Sequence, residues 1–294
     1  MWEKFKNIIG LNANATRMLT GFILGLICML CIMEGNIALL VMILTIIFVA
    51  SKEYVKILQH KGFFPSFKVI ILSEMLLAWV AYTHQLDIAA LVLSLCSFAS
   101  FMWVLFCGRQ PYIANVATTL LGIIYCGWFP LHLIFLRNLH CERFDSGFGF
   151  VVLMFTAILL TDTGAYYIGR HFGKIKLAPV ISPNKTVEGS VGGIILAILG
   201  AMIVGYFINL EWYLSVAAGL LCTVFAQIGD LCESLIKRDA GVKDSGHSLP
   251  GHGGFLDRCD SFIFTIPIMY YFCYYFIFND NITNNVLQFF RGLL

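Results

Sequence analysis

Charge is what this sequence has least of. Asp, Glu, Lys and Arg make up 12% of its 294 residues, about half the ~25% usual in a soluble domain, which excludes an ordinary water-soluble fold. The apolar–polar alternation of a membrane β-barrel is missing too. So is the succession of basic, apolar and small-residue regions that marks a secretory leader, and so is an Arg/Ser-rich transit-like leader. The N-terminus is therefore expected to be a mature cytoplasmic end, with Trp2, Phe5, Ile8 and Ile9 along one side of an interfacial helix. Ten cysteines are scattered singly; Cys28 and Cys31 form a lone CxxC inside an apolar run, without a second pair or a nearby His. Packing explains them better than zinc or a disulfide framework. GxSxG, HExxH and GxGxxG are absent, and the P-loop-like run from Gly241 to Ser248 has His247 where a lysine is required. No internal repeat, low-complexity tract or soluble domain is present.

What is there is apolar: 59% hydrophobic residues and a mean hydropathy of +0.84. The chain reads as an all-α polytopic membrane protein, a single integral membrane domain, because helices pair their own backbone groups inside a bilayer. About nine transmembrane helices are predicted, over about 18–34, 36–50, 67–83, 86–107, 115–136, 149–168, 190–209, 212–229 and 261–279. The first two are short enough for a shallow hairpin. With the N-terminus cytoplasmic, 16 of the 19 Lys and Arg fall on that side, leaving Arg137, Arg143 and Arg291 outside. The positive-inside rule then turns two polar loops, 162–189 and 230–260, toward the cytoplasm. Glu34 ends its apolar run and reads as interfacial, Glu74 stays open, and a kink with an aromatic belt accounts for Trp128, Pro130 and His132.

The two polar segments carry the chemistry. In the first, Asp162 closes the sixth span, followed by Arg170, His171 and Lys174; Ser182 and Pro183 open a turn, and Lys185, Thr186 and Glu188 precede Gly189, Gly192 and Gly193. Glycines at a helix start let backbone N–H groups approach a phosphate; equally, they suit close helix packing. In the second, Asp230 ends the eighth span while Asp257 and Asp260 share one face at the start of the ninth. Carboxylates from two span ends can meet on one hard cation such as Mg²⁺, which takes oxygen ligands and borrows the rest from water and phosphate. Lys237, Arg238, Lys243 and Arg258 surround them, a supply of charge for a polyphosphate. Gly251, Gly253 and Gly254 beside His252 allow close backbone approach, and His252 suits phosphate contact better than zinc.

The order Ser234, Ile236, Lys237, Arg238, then Lys243, Asp244, then Leu249, Pro250, His252, Gly253, Gly254, Phe255, Asp257, Arg258 and Asp260 resembles the signature of phosphatidate cytidylyltransferases (CDP-diacylglycerol synthases). Cys259 departs from it, where a branched apolar residue or Thr is usual. A second block, Asp162 to Tyr166 and Ser182 to Gly189, is similar too, with Asn184 and Val187 where many relatives have Lys and Trp. The likeness covers about 160–265; upstream only hydropathy and the start around Thr16 agree. It implies N-terminal transmembrane helices over 1–160 and a catalytic transmembrane region over 161–294. It further implies a Mg²⁺-dependent transfer, with a second cation accommodated, in which CTP and phosphatidic acid give CDP-diacylglycerol and pyrophosphate for phospholipid biosynthesis. Asp230, Asp257 and Asp260 would hold metal. Lys237 and Arg238 would act on the triphosphate, and Ser182, Lys185, Thr186, Lys243, Asp244, His252, Gly253, Gly254 and Arg258 would bind substrate. A homodimer and a bacterial inner membrane are expected, and no nucleic-acid partner. Two rivals stay open: a cation-coupled transporter lined by Asp162, Asp230 and Asp260, against which the acids crowd one membrane face, and a related lipid kinase that would move the γ-phosphoryl group.

Overall fold

The structure, a computed structural model, describes residues 13–141, 143–144, 146–246, 248 and 253–278. Among these the chain is helical almost throughout. Helices α1 (Ala13–Glu34) and α2 (Asn36–His60) are joined at Gly35, whose φ of +68° suits a residue without a Cβ. Then come α3 (Phe67–Tyr82), α4 (Leu86–Cys107), and a long unit of α5 (Tyr112–Gly122), a π-helical turn (Ile123–Trp128) and α6 (Phe129–Arg137). The second half holds α7 (Phe148–Phe172), strands β1 (Lys176–Ala178) and β2 (Ser182–Thr186), then α8 (Val187–Phe207), α9 (Trp212–Asp239) and α10 (Leu256–Phe276).

Six of these units are long and apolar enough to cross a membrane: α2, α4, the α5–α6 unit, α7, α8 and α9. The chain is thus an all-α polytopic protein with a helical unit at each of the nine expected positions, six of them meeting the length and hydropathy a crossing needs. α3 has 16 residues, and α10 is rich in tyrosine and interrupted by Pro267. The first 12 residues, where an interfacial helix is expected, lie outside the described residues.

The helices overrun the apolar runs that announce them. α2 is expected to stop at 50 but continues to His60, with Glu53, Tyr54, Ile57 and Leu58 buried and Lys52 and Lys56 exposed. That is an amphipathic turn packed on the bundle rather than a loop. α2, at 25 residues, is long and apolar enough to cross rather than form half of a shallow hairpin, whereas the apolar part of α1, Gly21–Glu34, is shorter. α9 runs to Asp239, so Asp230, Glu233 and Lys237 project from a helix at spacings of three and four, on one face. α7 likewise carries Asp162 ten residues before its end. The two polar loops shrink to a β-hairpin and to residues 240–255. Ser182 and Pro183 start strand β2, and the turn precedes them at 179–181.

Packing in the C-terminal half is set by missing side chains. α7 and α8 touch backbone to backbone: a Cβ on Gly164 would stand 2.8 Å from the Gly192 carbonyl oxygen. α9 and α10 are equally close, a Cβ on Gly229 meeting the Asp260 carbonyl oxygen at 2.5 Å. His132 lies buried among Trp128, Phe135, Tyr270 and Tyr271, an internal aromatic nest between α6 and α10 rather than an interfacial belt. The π-helical turn nearby packs over Glu74 (1% exposed), whose Oε1 accepts a 2.6 Å hydrogen bond from Ser51.

Candidate active site

Polar side chains from six elements, α2, α7, β2, α8, α9 and α10, meet at one end of the bundle. The opposite end is held by Arg137, which donates to the Ile32 and Met33 carbonyls, and by Arg143, paired with Glu211 at 2.5 Å.

A cavity of about 470 Å³ opens between α7, the hairpin, α8 and α9. Asp162, Tyr166 and Arg170 line it from α7, Leu177 from β1, Asn184, Lys185 and Thr186 from β2, Ser190 from α8, and Gln227 and Asp230 from α9. Lys185 Nζ lies 2.5 Å from Asp230 Oδ2. Thr186 caps α8, its hydroxyl accepting from Gly189 N at 3.2 Å, and Ser190 hydrogen-bonds Gln227. Asp162 feels the charges of Asp230, Lys185 and Arg258, and Asp260 those of Asp230, Lys237 and Asp162. The three carboxylates thus feel one another's charge, and Lys185, Lys237 and Arg258 offset it.

Beside the cavity lies a second cluster. Lys237 Nζ sits against Glu233 and 2.5 Å from Asp257 Oδ1. Asp257 Oδ2 accepts from Ser245 N at 3.1 Å and Gly254 N at 3.2 Å. Burial works against the charged form of Asp257, but Lys237 and the Ser245 N–H outweigh it and draw its pKa down to about 2. The carboxylate thus ties Ser245 and Gly254 to the start of α10. Gly253 takes φ +82° there, a conformation that favours glycine.

One residue of this cluster escapes the sequence signature. Glu53, 3% exposed on α2, accepts from Phe255 N at 3.1 Å, from Leu256 N at 2.8 Å and from the Ser245 hydroxyl at 3.1 Å. It satisfies the first free N–H groups of α10, the part played elsewhere by a capping side chain, and its charge suits the positive end of that helix. The signal lay in burying an acid on the inner face of α2, which the apolar run ending at Ala50 conceals.

The expected site residues divide accordingly. Asp230, Lys185 and Thr186 line the cavity, with Asp260 and Arg258 in electrostatic contact with its acids. Ser182 begins β2. Arg238 ties the two polar segments together, donating to the Ile181 carbonyl at 3.2 Å and the Val242 carbonyl at 3.3 Å. Lys237, Asp257 and Gly254 form the second cluster, and Gly253 adjoins it. Lys243 and Asp244 are exposed on the neighbouring turn. His252, with Leu249, Pro250 and Gly251, lies outside the described residues.

The profile of the cytidylyltransferase family matches residues 15–276. The chain belongs to that family. The match runs through α1 to α10, well beyond the C-terminal blocks. The phosphatidate cytidylyltransferase of Synechocystis sp. is similar at 35% identity over 255 residues, 77% of this chain and 85% of that protein. Those of Staphylococcus haemolyticus and Staphylococcus aureus are similar at 36% and 32% identity over 262 residues, 86% of this chain and 96% of each of theirs. For a cytidylyltransferase the donor set fits a hard cation: oxygen ligands only, mutually repelling, with Lys185 offsetting one of them. Among the described residues no three acidic, thiol or imidazole groups stand at ligand distance from a common point.

Proposed function

We propose that this protein transfers CMP from CTP to phosphatidic acid, giving CDP-diacylglycerol and pyrophosphate. The observation that carries the reading is the polar cavity of Asp162, Arg170, Lys185 and Asp230, set at the ends of membrane helices in a cytidylyltransferase chain. There a lipid headgroup and a soluble nucleotide reach one another without either leaving its phase.

A phosphate oxygen of phosphatidic acid attacks the α-phosphorus of CTP, a new P–O bond forms, and the bond to the β-phosphate oxygen breaks. The attacking group is already an anion at neutral pH, so no strong base is required. The task of the protein is alignment and charge neutralisation. Lys185, Arg170 and Arg258 offer cations around the cavity, and Thr186 and Ser182 offer hydroxyls. Arg238 holds the hairpin against the second segment, so both close on the same phosphates, while Lys243, Asp244, His252 and Gly253 complete the nucleotide side. Lys237, clasped by Glu233 and Asp257, fixes the start of α10 and with it Asp260. Asp230 and Asp260, with Asp162 beside them, would hold Mg²⁺, and Asp257 supports them from the second cluster. Bound there, the ion would neutralise charge building on the transferred phosphate.

The cavity faces the cytoplasm of a bacterial inner membrane in this reading, supported by the cation-rich end of the helices and by bacterial relatives. The homodimer implied by the family resemblance belongs to the same reading and is checked by the mass of the detergent-solubilised particle. The deciding experiment supplies mixed micelles of phosphatidic acid with CTP labelled at either the α- or γ-phosphate. Label entering lipid from the α position, and not from γ, is the expected outcome. Transfer from γ alone would make the protein a lipid kinase, and no transfer from either would end the proposal.

A further inference from the structure

The β-hairpin presents the wrong face for a solvated loop. Val180 at its tip is 88% exposed, Ile175 62% and Phe172, where α7 ends, 67%. Arg170, His171, Lys174 and Lys176 surround these apolar groups and are exposed too. Neither Lys174 nor Lys176 forms an ion pair among the described residues. The nearest acid, Glu188, has both oxygens within 3.2 Å of the Ile175 N–H.

The hairpin is fastened at both ends. At its base Val187 N donates to the Ile175 carbonyl at 2.9 Å, and at its turn Arg238 donates to the carbonyl of Ile181, next to Val180, at 3.2 Å. The tip therefore keeps a fixed bearing with its apolar residues outward. Its depth follows from the helices on either side. α8, with 21 residues, is about 31 Å long, close to the ~30 Å of a hydrocarbon core. Its first residue, Val187, thus stands at the interface, and the strand before it lies at headgroup level. Below it Val191, Ile195, Leu199 and Ile203 expose an apolar stripe along α8.

From this we infer that the hairpin docks into the adjacent leaflet, Val180, Ile175 and Phe172 entering the acyl boundary while Lys174 and Lys176 bind anionic phospholipid headgroups. Apolar side chains flanked by cations are the usual chemistry of an interfacial anchor, and cations near an anionic surface add to its hold. The inference is independent of the reaction proposed above. The same hairpin is a wall of the cavity through Leu177, Asn184 and Lys185, so anionic lipid gathered by the lysines collects at its mouth.

The test uses the whole protein in vesicles of phosphatidylcholine, with or without phosphatidylglycerol. A nitroxide carried on a keto amino acid at position 175 or 180 avoids the ten native cysteines. Collisions with oxygen should exceed those with a water-soluble nickel chelate at both positions, more so with phosphatidylglycerol present. Lys174→Glu with Lys176→Glu should shift position 180 toward water and abolish its response to phosphatidylglycerol. Water-like collisions at both positions in both vesicles would overturn the inference. So would protection from both reagents, which would mean that protein, such as a second copy, covers the tip. An unchanged response in the double variant would overturn the headgroup contact.

Discussion

Asp257 and Glu53 are acids whose oxygens are spent on holding backbone and a lysine rather than facing the cavity. Replacing Asp257 by Asn leaves Lys237 with Glu233 alone and weakens the tie to Ser245 and Gly254. We expect turnover to fall by about 100-fold or more, roughly 2.7 kcal/mol, while gel filtration in detergent still shows a folded particle. Its pKa, drawn down from 3.8 to about 2, sets the pH range of that tie. The stabilisation is complete above the unfolded value and is lost as pH falls through the folded one. A thermal melt of the purified protein should therefore show no loss from this group at neutral pH, and a loss between about pH 4 and pH 2. Glu53→Gln removes the charge at the start of α10 and replaces one acceptor by a donor. Hydrogen bonds to a charged group are worth about 1.5–3 kcal/mol, so turnover should drop at least about tenfold, with Lys52→Ala, one residue away and exposed, near wild type. Equal effects from the two variants would mean that α2 matters only as a membrane segment.

At the scale of elements, glycine contacts decide how near the carboxylates come. Gly229→Ala would force α9 away from α10, because the new Cβ meets the Asp260 carbonyl oxygen at 2.5 Å. The expected result is a loss of about 1–3 kcal/mol in stability together with lower turnover, since Asp230 and Asp260 part. Gly25→Ala in α1, where nothing lies within 4 Å, should leave both unchanged or raise the melting temperature slightly. The positions of nine helical units were legible from apolar runs, because burial in lipid selects for them directly. Their ends were not. The last turns of α2 and α9 are amphipathic and carry charge, so hydropathy alone assigns Lys52 and Lys237 to loops, although helix spacing would have aligned Asp230, Glu233 and Lys237. Asp230 and Lys185, which line the cavity, were legible as candidates because a charge beside an apolar span has few other uses. Glu53 was not, since its partners, Ser245, Phe255 and Leu256, are close only after folding.

For the molecule as a whole, a cavity lined by Asp162 and Asp230, with the charge of Asp260 acting on both, predicts dependence on a divalent cation. Chelation of Mg²⁺ should abolish label transfer from CTP, and re-addition should restore it. Activity that persists in chelator would leave Lys185 and Arg258 as sufficient neutralising charge and remove metal from the reading.

The bond between Glu53 and the last helix also has a consequence for biosynthesis. Glu53 and Leu256 are 203 residues apart, and a ribosome adds about 5–20 residues each second. For roughly ten to forty seconds, then, α2 resides in the membrane with a carboxylate whose partners do not yet exist. Only when α10 emerges does that charge find its donors. A chain cut short before α10 would leave Glu53 without the Phe255 and Leu256 N–H groups that engage it in the finished fold.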